Sequence, residues 1–320
     1  MSAVSERQTY GQEDLSRFAW LSIATGIVVF GLKLLAYLLT DSVGLLSDAL
    51  ESTVNIVAAV VALVALKTAS KPGDTRHHFG LSKAEYFSAL IEGLMILVAA
   101  VMIMLTAVPR LFEPQPLEDI GVGLAISALA SVINGAVAWV LMRAGRRHRS
   151  IVLTADAKHL MTDVWTSGGV IVAVFAVGAT GWIRLDPIIA IVVALNIVFA
   201  GLKLIGSSAM GLLDAALPDD ENQVILDILS HYQNDRVRIH AVQTRESGRQ
   251  RFVSMHVLVP GEWSVARGHD LLEALEHEID QALPNIVVQT HLEPIEDPRA
   301  WDDQPPGGLT VPSDDTWNDH

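Results

Sequence analysis

The chain has no cysteine, and that absence excludes disulfides, thiolate metal sites and cysteine nucleophiles together. Charge is scarce too: Asp, Glu, Lys and Arg make up 18% of the 320 residues, against about a quarter in soluble domains. Basic residues are the scarcer sign, and the net charge of −14 excludes a general nucleic-acid footprint. No phosphate loop, nucleophile elbow or HExxH is present, so a membrane enzyme has no motif to rest on. Apolar residues are abundant instead, at 51% of the chain, with a mean hydropathy of +0.38.

The charge is unevenly spread. Residues 1–213 hold fifteen Lys/Arg and fifteen Asp/Glu, so the whole −14 lies from Asp214 onward. This predicts two parts in two solvents. A helix needs about 20 mostly apolar residues to cross a hydrocarbon layer of about 30 Å. Six stretches qualify, near 18–39, 42–66, 84–108, 118–142, 152–178 and 186–207. The polar opening, residues 1–16, does not read as a cleavable signal peptide, whose apolar run would come sooner. Lys67, Lys71, Arg76 and Lys83 lie in the 2–3 connection, and Arg143, Arg146, Arg147 and Arg149 in the 4–5 connection. Arg110 and Arg184 alone stand on the other side. The positive-inside rule then puts both termini in the cytoplasm.

The remainder reads as a small soluble domain over 214–295. Residues 219–232 open with acids and carry apolar residues at helical spacing. Strand-like runs at 237–244 and 251–259 flank Glu246-Ser247-Gly248, a hairpin signal. An amphipathic helix over 263–283 and a third strand at 285–291 complete the order αββαβ, which predicts a ferredoxin-like α+β sandwich. The acidic, Pro/Gly-rich tail, 296–320, is expected to be disordered.

Titratable groups inside spans are costly, by about 2.5–3.5 kcal/mol or more on insertion scales, and so mark function. Span 2 carries Asp48, Glu51 and Asn55; span 5 carries Asp156, Lys158, His159 and Asp163. Glu51 and Asn55 share a helix face, as do His159 and Asp163, each pair being four residues apart. Facing one another, the pairs would offer three oxygens and one imidazole, a plausible tetrahedral set for a divalent metal. Asp48-Ala49-Leu50-Glu51 followed by Asn55 parallels Asp156-Ala157-Lys158-His159 followed by Asp163, as expected if spans 1–3 and 4–6 are repeats around one site. The alternative is that these groups merely pair to hold helices together. Metal binding needs neutral imidazole and ionised carboxylate, so ligands lose protons as metal arrives; His159 is the natural exchanging group. Asp48 and Asp156, one turn earlier, either line the entrance or serve as salt-bridge partners.

Through GLLSDALES, PGDTRHHFGLSKAEYFSAL, ADAKHLMTD and GLLDAALPDDE, the chain resembles the cation diffusion facilitators from about residue 17 to 295, most closely the bacterial dimeric zinc/iron exporters. The resemblance implies a six-span domain at 17–213, a cytoplasmic metal-binding and dimerisation domain, a homodimer in the cell (inner) membrane, and divalent-cation export against protons. It places the transport site on Glu51, Asn55, His159 and Asp163. Span 2 departs from the family, which has His or Asp and then Asp there. Zn²⁺ is the implied ion, with Fe²⁺ or Mn²⁺ as alternatives that the harder donor set favours more than a two-histidine site would. A non-transporting membrane metal sensor or scaffold is the second reading, supported by the missing carboxylate at Asn55.

The same resemblance points to a loop site on Asp74 and His77, incomplete because Leu81 stands at its third position, with His78 as a possible substitute. It assigns His240, His256, His269, His291 and Glu293 to a metal site in the soluble domain. It also pairs Lys83 with Asp214 as a structural ion pair. His231 and His277 match nothing and read as helix-surface residues.

Overall fold

In the computed structural model, residues 13–40, 43–113, 121–302 and 305–312 are described; the side chains of Asp48 and Glu51 lie outside the described set. The chain divides into two compact units, Met1–Leu212 and Leu213–His320.

The first unit holds α1 (Ser16–Thr40), α2 (Val43–Ala69), α3 (Ala84–Phe112), α4 (Gly121–His148), α5 (Ile151–Thr180) and α6 (Leu185–Leu212). Five of these are long and apolar enough to cross a bilayer, judged on the described residues. The remaining helix, α2, has a shorter apolar stretch, Asn55–Ala69, and occupies the place of the expected second span. Large apolar side chains such as Trp20, Leu105, Trp139 and Phe199 point outward, as a hydrocarbon surround requires. Helix α3 runs on to Phe112, one turn beyond the expected stop at Pro109, where a proline forfeits one hydrogen bond.

Small residues set the helix spacing. Ala19, Ala59, Ala62, Ala138 and Ala157 line the contact of α1, α2, α4 and α5. A Cβ on Gly93 would come within 2.8 Å of Ile205, and one on Gly201 within 2.9 Å of Leu97, so α3 and α6 approach closely only through these glycines. Helix α5 touches each of the other five helices, which places its polar residues at the centre of the unit.

The second unit is α7 (Asp219–Tyr232), β1 (Arg238–Ser247), β2 (Gln250–Val259), α8 (Val265–Ala282) and β3 (Ile286–Pro294), the expected αββαβ order. β2 is central, antiparallel to β1 and parallel to β3. Gly248, at φ 60°, supplies the positive dihedral of the two-residue hairpin turn. Val253, Met255 and Val257 of β2 face Ile225, Leu229, Leu275 and Ile279 of the helices. Alternation along the strand therefore sends His256 to the opposite face.

Residues 296–302 and 305–312 of the tail depart from the expected disorder; the rest of the tail lies outside the described residues. Pro298–Trp301 forms a 3-10 turn, Leu309 bridges to Val242 beside β1, and Val311 is buried in the core. Two apolar residues within an acidic segment were enough to dock it on the strand edge.

Candidate metal sites

In the membrane unit, α2 and α5 bring Asn55, His159 and Asp163 together across more than 100 residues of sequence, each less than 10% exposed. His159 Nε2 stands 2.7 Å from Asn55 Oδ1, and Asn55 Nδ2 donates to Asp163 Oδ2. Asn134 of α4 donates to the same carboxylate oxygen at 3.3 Å. The sequence reading missed Asn134. Its signal was a lone carboxamide in the apolar run of α4, which expresses the same cost that marked Asn55.

His159 Nδ1 is buried without a hydrogen-bond partner among the described residues. The result is one imidazole, one carboxylate and a carboxamide oxygen converging in a protected interior, a donor set that suits a divalent cation. Glu51, the fourth expected ligand, lies outside the described side chains. Asp156 lies off this cluster: it accepts from Ser22 Oγ of α1 at 3.0 Å and forms no ion pair among the described residues.

In the connection between α2 and α3, Asp74 and His77 do meet, at 3.3 Å. The same Asp74 oxygen also accepts the backbone N–H groups of Arg76 at 2.8 Å and His77 at 2.7 Å, so it caps a turn. These backbone bonds, Arg76 first, hold the Asp74 carboxyl below its usual range. No third metal-binding side chain joins the pair among the described residues. Lys83 Nζ donates to Leu212 O at 3.3 Å, and Asp214 pairs with Arg245 at 3.1 Å.

The soluble unit assembles its cluster by strand register. His240 of β1 lies opposite His256 of β2, which lies opposite His291 of β3, so three imidazoles form a row across one sheet face. Glu293, two residues after His291, returns to that face. Its carboxylate reaches His240 Nε2 at 3.4 Å, His256 Nδ1 at 3.5 Å and His291 Nε2 at 3.4 Å. Potential ligand atoms of His240, His256 and Glu293 lie within 4.8 Å of one another. His240 Nδ1 is buried without a hydrogen-bond partner among the described residues. Two imidazoles and a carboxylate fit zinc or a similar ion.

A bulge follows His240, with Ala241 in the left-handed region at φ 51°. Such strain is typical where a strand re-aims a side chain. The Trp301 ring packs against His240 in a tilted arrangement, ring centroids 5.9 Å apart. His269 is not in the cluster; it sits exposed on α8, 3.9 Å from Glu273 one turn on. His277, as expected, is an exposed helix residue, 2.6 Å from Gln281.

Residues 19–213 match the family described as the cation efflux transmembrane domain, and residues 217–295 match the cation efflux protein cytoplasmic domain. An uncharacterized transporter of Synechocystis is 51% identical over 292 residues, spanning 90% of this chain and 94% of its own length. The cation-efflux pumps FieF of Salmonella arizonae and Salmonella newport are each 30% identical over 287 residues, 90% of this chain and 95% of theirs.

Proposed function

The chain belongs to the cation efflux family, and from that premise we propose that it exports a divalent metal cation in exchange for protons, as a homodimer in the cell's inner membrane. The observation that carries this is the buried convergence of Asn55, His159 and Asp163. With Glu51 they make the substrate site, and Zn²⁺, Fe²⁺ and Mn²⁺ are the candidate substrates. A metal entering there replaces the hydrogen bonds that Asn55 makes to both partners. It also needs His159 neutral at its coordinating nitrogen and Asp163 ionised, so protons leave as metal binds and return as it departs. Eight Lys/Arg in the 2–3 and 4–5 connections support an orientation with both termini cytoplasmic.

His240, His256 and Glu293, flanked by His291, would hold a second, resident ion on the soluble domain. Zinc there would tie three strands together and bias how the domain associates with its copy. His269 belongs to that site only if brought to it from outside this chain's cluster. Lys83 and Asp214 are proposed as the structural ion pair that the family resemblance implies. Asp74 and His77 are the weakest of the expected sites, because Asp74 is committed to its turn.

One observation favours a second reading, a metal sensor that does not transport. Asn55 satisfies both ends of its carboxamide within the site, which stabilises the metal-free state. Proteoliposomes decide between them. Proton-gradient-driven uptake of Zn²⁺, Fe²⁺ or Mn²⁺ that disappears in His159→Ala supports export. Metal binding without uptake of any ion would leave the sensor.

A further inference from the structure

Two buried carboxyls of the membrane unit have no part in the sites described. Glu92 of α3 is fully buried, and among the described residues neither of its carboxyl oxygens has a hydrogen-bond partner. Asp156 of α5 is 1% exposed; one oxygen takes the Ser22 hydroxyl, and Oδ2 has no partner among the described residues. Ser88 Oγ, one turn before Glu92, is also buried and unpartnered.

The helix geometry brings the two acids to one level. Near the start of both helices, Ser150 Oγ at the cap of α5 donates to Glu85 Oε2 of α3 at 2.7 Å. From that contact Glu92 lies about 10 Å along α3 and Asp156 about 9 Å along α5, at 1.5 Å per residue. Seven residues are close to two full turns, so Glu92 shares the α3 face on which Glu85 meets α5. Ala89 and Ala155 belong to one apolar cluster between the helices, and Asp156 is the charged group within electrostatic reach of Glu92.

Among the described residues no cation pairs with these acids. Lys158, His159 and Asp163 of α5, Asp186 and Lys203 of α6, and Lys67 of α2 are the other described titratable groups on the helices packed against α3. None forms a hydrogen bond or ion pair with Glu92. On α1, which reaches Asp156 through Ser22, the buried Lys33 lies eleven residues further along the helix. An uncompensated carboxylate in such an interior costs several kcal/mol, and two like charges side by side cost more. A metal would want further strong ligands, and no third carboxyl or imidazole groups with these two among the described residues.

We propose that Glu92 and Asp156 form a proton-holding carboxyl pair, a second ionisable site of the membrane unit, one helical turn before His159 and separate from the metal ligands. Glu85, Ser88 and Glu92, spaced three and four residues apart, form a polar line from the start of α3 to this pair. The pair itself stands apart from the export reading; its use in transport rests on that reading. A metal bound at His159 and Asp163 adds positive charge between about 4.5 and 10.5 Å further along α5, which favours the ionised pair. The shared proton then leaves toward the helix starts, and returns when the metal departs.

Infrared spectra of the full-length, metal-free protein in lipid at neutral pH test the pair directly. The expected result is a protonated-carboxyl C=O band that is lost in Glu92→Gln, shifted in Asp156→Asn and retained in Glu92→Asp. A wild type without the band, or a band unchanged in Glu92→Gln, overturns the proposal whether or not the protein transports. Calorimetry with Zn²⁺ supplies the second readout. Affinity of Glu92→Gln within about threefold of wild type is expected; a larger loss makes Glu92 a metal ligand and overturns the assignment.

Discussion

Asn55 Oδ1 of α2 and His159 Nε2 of α5 face each other at 2.7 Å in the buried centre of the membrane unit. The same carboxamide donates to Asp163 through its other end. One neutral residue thus holds both expected metal ligands of α5 in register, at a position where a carboxylate would bind metal more strongly and repel Asp163 when metal is absent.

Asn55→Asp is therefore expected to tighten divalent-metal binding by about tenfold, which corresponds to about 1.4 kcal/mol, and to move selectivity toward Zn²⁺. Uptake assays with Zn²⁺, Fe²⁺ and Mn²⁺ in proteoliposomes measure it. Unchanged selectivity would remove Asn55 from the site's chemistry.

Glu293 touches all three histidines of the sheet row through its carboxylate. Glu293→Gln keeps the shape and removes the charge. Zn²⁺ affinity of the soluble-domain site should fall by at least about tenfold, read by calorimetry in a His159→Ala background. Retained affinity would show that the histidine row does not bind the ion.

Arg251 holds Glu221 through two hydrogen bonds, at 2.9 and 2.8 Å, with both side chains nearly buried. It also donates to Pro284 O at 2.5 Å, joining α7, β2 and the approach to β3. Arg251→Ala removes the bidentate partner of the buried Glu221, at an expected cost of about 3–5 kcal/mol. Thermal unfolding should show a large drop. Replacing both residues by Met and Leu should recover much of it, since apolar pairs can substitute for buried ion pairs.

Tyr232 donates to Glu278 Oε2 at 2.8 Å. Burial first, then this hydrogen bond and the charge of Glu278, push the phenol up to about 12. Raised above its unfolded value of about 10, the group contributes stability that is full below that value and is lost as pH climbs through about 12. Glu278→Gln should move the Tyr232 titration back toward the free value, measured by ultraviolet titration against Tyr232→Phe. No movement would mean that burial alone sets the shift.

Much of the site was legible because membrane burial makes polar residues conspicuous. His159 and Asp163 stood out in an apolar span, and their spacing of four put them on one face. Asn134 carried the same signal more faintly, as a single amide with only serines, not a second amide or titratable group, at helical spacing. Glu92 sat in the open for the same reason, yet periodicity could not say that α3 would turn it toward Asp156. His269 was grouped with the other histidines by resemblance alone; the helix it lies on turns it away from the cluster within this chain.

By itself, then, the sequence determined the number and order of helices and strands, the division into an apolar and an acidic part, and which residues were too costly to be idle. Periodicity and transfer cost are local, so a linear reading captures them. Only the tertiary structure decided which of those residues meet: Asn55 with His159, Glu293 with three histidines through strand register, the tail with β1. Those choices depend on helix rotation, small-residue contacts and strand pairing between positions far apart in the chain, and each is fixed by packing that exists only once the elements are assembled.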